Sequence, residues 1–295
     1  MKYPLKVKNP MNDISRLYNN LSRFTYYLEW IRQFGRPKYL SMHKPLQISL
    51  NNQPTVTGSS TSEDLDDLLF RLAELPDDPQ VLDAGCGFGT TLFKWQQKKK
   101  GTYIGFTNSS FQVKVAQKIA HRLNVKQHCQ FYLKNFEEEL SDQFDAIVVV
   151  EALLHATDQD AVLNNFARNL KPGGRLIIVD DFPHQEITMQ NIAYQILRNA
   201  WYLPEMRPVS DLLKIFSTVD LELKLHRDLT KQVKLATSEM IESRLRRLKS
   251  IIKLLPFNWL RLYLNTHRGG YALQKLYQEG LMGYHLIVAR KRNKN

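Results

Sequence analysis

Residues 81–89 read VLDAGCGFG, and this segment restricts the fold of the chain more than any other. It is typical of a short buried strand that ends in an acid, Asp83, and then passes through three glycines into a helix. Glycine is needed where a backbone turns with positive φ or must approach a ligand closely. The G-x-G-x-G spacing differs from the G-x-G-x-x-G of dinucleotide-binding folds, and no acid stands at the ribose-binding position about 20 residues on. A tight turn without a ligand is the alternative.

The chain around this segment alternates between strands and helices. This alternation favours a parallel sheet that is covered on both faces. The sequence therefore predicts an α/β fold, a Rossmann-like doubly wound sheet of seven mostly parallel strands, with an N-terminal helical lid and a helical insertion before the last strand. Strands are predicted at 81–82, near 103, and at 129–133, 146–150, 175–179, 221–225 and 286–288, and helices at 11–34, 65–75, 111–123, 159–170 and within 231–277.

The glycine segment resembles motif I of the class I S-adenosylmethionine-dependent methyltransferases, and the order of elements from 62 to 179 is similar to that family as well. The resemblance implies S-adenosylmethionine as the cofactor. It also implies that Gly85, Gly87 and Gly89, with Cys86 among them, let the backbone lie under the methionyl and ribose parts. Asp83 would help to hold the amino group, partly through water.

Residues 105–112, GFTNSSFQ, depart from most class I members, in which the second strand ends with an acid that binds the ribose. They resemble the G-x-T-x-S-x-x-Q variant of the sterol, tocopherol and cyclopropane fatty acid methyltransferases. By this resemblance Thr107 and Gln112, with Asn108 between them, take over ribose and carboxylate contacts. The same residues also fit an ordinary helix that is capped by Ser109.

Asn135 and Phe136 follow the third predicted strand, where the family usually has an acid that reads the adenine amine. The amide oxygen of Asn135 can accept that hydrogen bond. We expect both residues at the adenine, although a solvated loop asparagine fits the sequence as well.

Residues 151–155, EALLH, follow the fourth predicted strand, at the edge where open α/β sheets bind ligands. A helix that begins near Glu151 would place its carboxylate and the imidazole of His155 on one face. The segment resembles the E-A-x-x-H of sterol methyltransferases and the E-S-x-x-H of tocopherol enzymes, in which both residues border the methyl acceptor. We expect Glu151 to contact the cofactor and to be the base for an alkene acceptor, and His155 to be the base for a hydroxyl acceptor. A helix-terminal carboxylate and a buried imidazole are the alternatives.

Shorter similarities add candidates for the acceptor pocket. Trp201 lies in a segment that resembles W-x-L-P, and Asp228 lies in one that resembles D-x-T. Tyr284 belongs to a stretch that resembles a C-terminal tail of small-molecule methyltransferases. We expect all three residues to contact the substrate, while core packing accounts for each of them equally well.

The N-terminal region adds three further candidates. His43 lies where related enzymes have a histidine beside the cofactor, at the end of an N-terminal lid. Tyr18 and Tyr27 lie on the first predicted helix and could line the pocket. A packed helix explains these tyrosines as well.

Residues 231–268 form a basic stretch with nine Lys and Arg against two Glu, in a chain whose net charge is +12. Arg244 and Arg247 are its candidates for contact with an anionic partner. That partner could be a membrane surface or a diphosphate on the substrate. A solvated face without a partner is the third interpretation.

These features divide the chain into four regions. Residues 1–61 form an N-terminal helical lid and linker, and 62–230 form the S-adenosylmethionine-binding α/β domain. Residues 231–280 form a basic helical insertion that caps the acceptor, and 281–295 form the last strand with a basic tail. The polar run at 49–62 marks the first boundary.

The sequence favours methyl transfer to a small lipophilic acceptor, above all carbon methylation of an isoprenoid-like alkene with or without a diphosphate. O-methylation of a phenolic or quinol-type molecule is the alternative in the same class. The segment VVEA at 149–152 differs from the Asn/Asp-Pro-Pro-aromatic segment of base N-methylases, which argues against an RNA or DNA substrate despite the positive charge. A non-catalytic S-adenosylmethionine-fold binding protein is the second rival.

Two cysteines, Cys86 and Cys129, are too few for a disulfide framework or a zinc cluster, so we expect no metal and a reducing compartment. No apolar run approaches the roughly 20 residues of a membrane span. We therefore expect a cytoplasmic enzyme of secondary metabolism. The sequence leaves open a peripheral contact with a membrane and assembly into a homo-oligomer.

Overall fold

The structure is a computed structural model that describes residues 10–32, 40, 47–48 and 63–293. One seven-stranded sheet lies at its centre. The strands are β1 (Gln80–Ala84), β2 (Thr102–Thr107), β3 (Cys129–Leu133), β4 (Phe144–Val150), β5 (Leu170–Pro183), β6 (Leu221–Asp228) and β7 (Met282–Lys291). A separate two-stranded antiparallel pair joins Gln47–Ile48 to Glu63–Asp64.

The strand order in the sheet is β3-β2-β1-β4-β5-β7-β6. The pairs among β1 to β5 are parallel, whereas β7 runs antiparallel to both β5 and β6. The order reverses between β1 and β4, and a crevice for ligands is expected at the carboxyl ends of these two strands. The predicted Rossmann-like, mostly parallel sheet of seven strands is confirmed.

Helices cover both faces of the sheet. The helices predicted at 11–34, 65–75, 111–123 and 159–170 lie within three residues of those bounds. The predicted insertion consists of two helices, and three further helices had no predicted bounds. The helices are α1 (Pro10–Arg32), α2 (Leu65–Leu72), α3 (Thr90–Lys98), α4 (Ser110–Arg122), α5 (Gln159–Asn169), α6 (Ile192–Trp201), α7 (Val209–Ile215), α8 (Ser238–Leu254) and α9 (Asn258–Gln278).

Two hydrophobic clusters form the core, one on each face of the sheet. Neighbouring residues in a strand point to opposite faces, so Val81 belongs to one cluster and Leu82 to the other. Ile177 and Ile178 of β5 divide in the same way. The unbroken apolar runs of the sequence therefore correspond to strands that are buried on both sides.

The N-terminal helix and the insertion lie side by side. α1 contacts α4 and α9, α9 contacts α6, and α8 packs on α9. Ile241 and Leu245 are the buried residues of α8. The predicted linker at 49–62 lies outside the described residues, and the division into four regions stays a prediction. Among the described helices, none combines the length and the apolar composition that crossing a membrane requires.

Candidate active site

A cleft opens at the carboxyl ends of β1, β2 and β4, where the strand order reverses. α1 and α9 contribute Ile14, Leu17, Leu21 and Thr266 to its wall. The structure therefore brings predicted cofactor and acceptor residues into a single cleft. Ten residues that the sequence singled out line it: Tyr18, Gly85, Gly87, Thr107, Asn108, Gln112, Phe136, Glu151, His155 and Trp201.

The three glycines after β1 all have positive φ, of +108°, +54° and +80°, but they meet different neighbours. A Cβ at Gly85 would overlap the Cβ of Ala152, and a Cβ at Gly89 would overlap the ring of Phe131. A Cβ at Gly87 would meet no protein atom within 4 Å. Gly87 lines the cleft, so its lack of a side chain suits the close approach of a ligand rather than internal packing.

Two of the predicted cofactor-binding residues, Cys86 and Gly89, pack against the sheet. Gly89 does not line the cleft, and it is the residue that caps α3, where the Phe131 ring requires a glycine. The Cys86 side chain is buried against β2, with its thiol 3.7 Å from the carbonyl oxygen of Gly87. Burial raises the pKa of this thiol well above its usual range. Cys86 packs against Gly105 of β2, and Gly89 packs against Phe131 of β3, so both residues hold the loop on the sheet.

Asp83 lies within β1 and is 3% exposed. Burial, followed by the charge of Asp66, raises the pKa of its carboxyl group to about 8. Asp66 is itself held by the hydroxyl of Thr91 and the ammonium of Lys94. Asp83 is therefore mostly protonated near neutral pH, and a cationic group placed beside it would favour the ionised form. The predicted contact with the amino group of the cofactor stays a prediction.

The turn between β2 and α4 carries Thr107, Asn108 and Gln112. Thr107 donates its hydroxyl hydrogen to Oε1 of Gln112. The Gln112 amide nitrogen donates to Oγ of Ser22, at 2.8 Å. Thr107 and Gln112 thus line the cleft, and their polar groups also bond to each other and to α1. Their contacts with the ribose and the carboxylate stay predictions. Ser109 caps α4 by accepting the N–H of Gln112, as the alternative interpretation of the sequence expected.

α1 docks on this turn through a polar stripe that the sequence analysis missed. Ser15 donates to the carbonyl oxygen of Asn108 at 2.6 Å, and Oδ1 of Asn19 accepts from the Ser109 hydroxyl at 2.8 Å. Ser22 completes the stripe with its bond from Gln112. Spacings of four and three residues place the three α1 residues on one helix face. That spacing was the signal in the sequence, although the predicted helix was defined by its apolar face alone.

Asn135 does not contribute to the cleft wall. Its Oδ1 accepts the backbone N–H of Glu137 at 3.1 Å, which is an Asx-type turn. The predicted acceptor of the adenine amine is therefore engaged within its own loop. Phe136, the neighbouring residue, lines the cleft, and its contact with the adenine stays a prediction.

The segment after β4 is not the helix that the sequence predicted from Glu151 onward. Glu151 has φ +50°, and its N–H donates to the carbonyl oxygen of Val179 at 2.8 Å. The N–H of Leu154 donates to a carboxylate oxygen of Asp180 at 3.0 Å. These bonds to β5 impose a tight turn that leads into a short 3₁₀ helix, Leu153–His155. Glu151 and His155 still both face the cleft.

Tyrosine hydroxyls form hydrogen bonds with Glu151 and His155 in the cleft. Tyr284 donates to Oε1 of Glu151 at 2.9 Å, and the Tyr18 hydroxyl lies 2.7 Å from Nε2 of His155. Burial, then the charges of nearby carboxylates, raises the pKa of both phenols, so both keep their protons. Burial lowers the pKa of His155 to about 4. The imidazole is therefore neutral near neutral pH.

Four of the predicted substrate residues are exposed and lie outside the cleft. Tyr27 is 59% exposed and lies in a neighbouring groove with Trp259. Asp228 is exposed at the end of β6. Arg244 and Arg247 are exposed on α8, because Ile241 and Leu245 turn the opposite face of that helix inward.

Four predicted substrate residues remain, and two of them, Tyr18 and Trp201, line the cleft. Trp201 lines the cleft and donates its indole N–H to the carbonyl oxygen of Thr266 at 3.0 Å. Tyr284 lies behind Glu151. His43 lies outside the described residues. Asp181, which lines the cleft and accepts the Tyr277 hydroxyl, was not predicted.

A comparison with protein families assigns the central part of the chain. The family described as Methyltransferase domain matches residues 76–207. Residues 76–207 form a methyltransferase domain. This assignment confirms the predicted cofactor, S-adenosylmethionine. The glycine loop belongs to this domain, and so do most residues of the cleft, whose wall α1 and α9 complete.

Curated relatives match the methyltransferase domain and part of its surroundings. A probable tocopherol O-methyltransferase of Oryza sativa subsp. japonica is 27% identical over 236 residues, covering 74% of this chain and 64% of the rice protein. A sterol 24-C-methyltransferase of Aspergillus fumigatus is 31% identical over 97 residues, covering 32% of this chain and 26% of that protein. Methyltransferase GfsG of Streptomyces halstedii is 30% identical over 125 residues, covering 41% of this chain and 45% of GfsG. The chain thus spans less than two thirds of each of these relatives.

Solved structures share the fold over nearly the whole chain. Geranyl diphosphate methyltransferase in complex with GPP and sinefungin has a TM-score of 0.70 at 17% identity, covering 96% of this chain and 99% of that one. Geranyl diphosphate C-methyltransferase from Streptomyces coelicolor A3(2) has a TM-score of 0.68 at 16% identity, covering 98% and 100%. The [4+2]-cyclase SpnF has a TM-score of 0.67 at 17% identity, covering 95% and 96%. The cyclase illustrates that this fold does not by itself define the reaction.

The second and third glycines of the loop allow a matched test of the cleft. Gly87→Ala should keep the fold, at a cost of about 1 kcal/mol for a side chain at positive φ, and should weaken S-adenosylmethionine binding at least tenfold. Gly89→Ala should lower the melting temperature more, because its Cβ overlaps the Phe131 ring. Calorimetric titration and thermal unfolding of both variants measure these effects. Equal affinity in a well-folded Gly87→Ala protein would remove the loop from the binding site.

Asp83 should release a proton when the cofactor binds. Its raised pKa of about 8 keeps the carboxyl group mostly protonated near neutral pH, and the cationic amino group of the cofactor would lower that pKa and drive ionisation. Titration calorimetry in buffers with different ionisation enthalpies measures the release. Asp83→Asn is the control, in which the buffer dependence should vanish. A wild-type binding enthalpy that is independent of buffer would contradict the predicted contact.

Proposed function

We propose that this chain transfers a methyl group from S-adenosylmethionine to a carbon atom of a small, uncharged, isoprenoid-like acceptor, with Glu151 as the base. The observation that carries the proposal is the Glu151 carboxylate in the cleft, oriented by Tyr284 and set between apolar residues, Val150 and Ala152. The fold shared with geranyl diphosphate C-methyltransferase and the match to a sterol 24-C-methyltransferase support the reaction class.

The two ends of the cleft have different chemistry. S-adenosylmethionine supplies an electrophilic methyl group when it is bound. Gly85 and Gly87 would lie under it, and Thr107 and Gln112 border the same end of the cleft. The apolar face of α1 and the indole of Trp201 would place the acceptor near Glu151. Such positioning can supply a large part of the rate in a displacement that needs in-line approach.

Glu151 would complete the reaction of an alkene acceptor by removing a proton. The π electrons of the acceptor form the new carbon–carbon bond, the bond from methyl to sulfur breaks with its electron pair on sulfur, and a carbocation remains on the acceptor. Loss of a proton from an adjacent carbon to the Glu151 carboxylate restores a double bond. The faces of Tyr18, Phe136 and Trp201 line the cleft and can stabilise the positive charge meanwhile.

His155 is less suited to be the base. Burial lowers its pKa to about 4, so its affinity for a proton is weak. The hydroxyl of Tyr18 lies 2.7 Å from Nε2, so that nitrogen is already engaged in a hydrogen bond. These observations favour Glu151 over His155, and carbon methylation over O-methylation.

The charges around the cleft favour an acceptor without a diphosphate. Among the described residues that line the cleft there is no Lys or Arg. Arg244 and Arg247 are exposed on α8 and do not reach it. Lys and Arg donors, or a divalent cation, usually hold a diphosphate, whereas an isoprenoid chain needs apolar walls. Product mass spectrometry with S-adenosylmethionine and a panel of isoprenoids, their diphosphates, quinols and RNA tests this proposal directly.

Glu151→Gln should lower turnover by about 10²-fold or more, because the amide keeps the shape but cannot take the proton. S-adenosylmethionine binding should survive. His155→Asn should be milder, and Glu186→Gln, at an exposed position, should behave as wild type. Steady-state kinetics and product analysis on the identified acceptor measure all three. Near-wild-type turnover with unchanged products in Glu151→Gln would exclude this carboxylate as the base, and a larger loss in His155→Asn would point to a hydroxyl acceptor.

We further propose that a lipophilic acceptor enters from a membrane surface. The groove that contains Tyr27 and Trp259 shares Leu17, Leu21 and Thr266 with the cleft, so the two spaces adjoin. Beside it, an apolar corner is exposed at the junction of α8 and α9, formed by Ile251, Leu254, Phe257 and Trp259. Exposed basic residues on α8 flank this corner. Exposed apolar side chains with basic residues on the same helix suit contact with an anionic lipid surface.

Vesicle flotation with the full chain tests this surface. The protein should float with vesicles that contain anionic lipid and less with neutral vesicles. Arg246→Glu with Arg247→Glu, and separately Leu254→Ser with Phe257→Ser, should each reduce flotation several-fold without loss of fold, since all four side chains are exposed. Lys126→Glu, at an exposed position outside α8 and α9, is the matched control. Equal flotation of every variant would make the corner a solvated face only.

A further inference from the structure

A cluster of imidazoles and one carboxylate lies on the side of β7 that faces away from Glu151. It consists of His184, His226, Asp228 and His285, and we call it the histidine cluster. Adjacent residues of a strand point to opposite faces, so Tyr284 reaches Glu151 while His285 points the other way. Asp228 of β6 pairs directly with His285 in the sheet, which places both side chains on one face. The cluster is therefore separate from the cleft.

Three side chains of the cluster converge on a common point. One ligand atom each from His184, Asp228 and His285 lies within 4.8 Å of the other two. The distance between Nε2 of His184 and Oδ2 of Asp228 is 3.7 Å. His285 is 2% exposed, and its Nε2 is buried without a hydrogen-bond partner among the described residues. A buried, unpartnered ring nitrogen normally costs free energy, so this atom is suited to a ligand.

Glycine at position 283 makes the convergence possible. A Cβ there would lie 2.7 Å from Cε1 of His184 and 2.7 Å from Nε2 of His285. The backbone of Gly283 has no positive φ, so chain geometry does not require a glycine at this position. The space that it leaves is occupied by the two imidazoles.

Residues around the cluster orient its ligand atoms. Nδ1 of His285 lies 3.1 Å from Nε2 of His226, which directs the other nitrogen, Nε2, toward the common point. Oδ1 of Asp228 accepts the N–H of Thr230 at 2.7 Å and also its hydroxyl, which leaves Oδ2 on the side of His184. Metal-binding histidines and carboxylates are commonly held in this way by outer partners.

We propose that His184, Asp228 and His285 bind a divalent transition-metal ion, of which Zn²⁺ fits best. Two imidazole nitrogens and one carboxylate oxygen are a common ligand set for zinc, and a water molecule would take the fourth position. Ligand bonds of about 2.0–2.1 Å require the three atoms to approach one another to roughly 3.4 Å. Rotation of the exposed side chains of His184 and Asp228 allows this contraction. A bound ion would tie the chain after β5 to β6 and β7.

The sequence did not predict this site, because its ligands have no local spacing of the kind that marks cysteine-based zinc sites. The ligands are separated by 44 and 57 positions in the chain, and the register of β6 against β7 brings them together. The proposal does not depend on methyl transfer, since none of the three side chains lines the cleft.

Zinc titration of the full chain, purified in the presence of a chelator and then freed of it, tests the proposal. A chromophoric zinc indicator should report one ion per chain at micromolar affinity or better, and the melting temperature should rise with zinc concentration. His184→Gln and Asp228→Asn, both at exposed positions, should each weaken binding at least tenfold. His128→Gln, an exposed histidine next to β3, should bind as wild type.

Cobalt substitution adds a spectroscopic readout that nonspecific binding to surface histidines would not give. Co²⁺ should show the visible absorption of a four- or five-coordinate site in the wild type and in His128→Gln, and lose it in His184→Gln. Absence of a tight ion in the wild type, or equal zinc affinity in all variants, would overturn the proposal. Either outcome would leave the assignment of the methyltransferase domain untouched, because S-adenosylmethionine binding is measured separately.

Discussion

The site depends on the close approach of the glycine loop after β1 to the turn after β4. Gly85 lies against Ala152, and any side chain at position 85 would push the two segments apart. The same turn is tied to β5 through the N–H groups of Glu151 and Leu154. Under these restraints Glu151 adopts φ +50°, a conformation that costs a non-glycine residue about 1 kcal/mol. The contact thus joins the cofactor end of the cleft to the acceptor end.

Hydroxyl groups of tyrosines determine the charge pattern at the acceptor end. Tyr284 donates to Glu151, Tyr277 to Asp181, and Tyr18 contacts His155. Burial raises the pKa of all three phenols, so each keeps its proton. The histidine is neutral because burial lowers its pKa. Among the described residues the cleft therefore presents carboxyl groups and aromatic faces and no Lys or Arg, an arrangement that suits a positive charge developing on an acceptor.

Neighbouring residues of β7 form contacts on opposite faces of the sheet. Tyr284 supports the carboxylate in the cleft, and His285 belongs to the histidine cluster on the other side. Its antiparallel pairing with both β5 and β6 brings Asp181 opposite Tyr284 and Asp228 opposite His285. Because a strand alternates its side chains, one register places two sets of polar residues in different surroundings. A shift of a single residue would disrupt both sets.

Local patterns in the sequence determined the fold class and part of the site. Apolar strand runs between amphipathic helices indicated a doubly wound sheet, and the carboxyl ends of such strands meet at one edge. Gly85, Gly87, Thr107 and Glu151 could therefore be assigned to one cleft, since each follows or ends a predicted strand. The spacing of α1 also carried the polar stripe of Ser15, Asn19 and Ser22, although the prediction used only its apolar face.

Tertiary contacts determined the features of the site that local sequence patterns did not predict. The roles of Gly87 and Gly89 differ because Phe131, from β3, lies against one of them and not the other. Residues 151–155 form a turn and not a helix, because β5 offers the carbonyl oxygen of Val179 and the carboxylate of Asp180 as acceptors. Arg244 and Arg247 lie away from the cleft, because the buried face of α8 is set by its packing on α9. In each case the deciding neighbour is distant in the chain, and its position follows from strand register and helix packing, which local spacing does not encode.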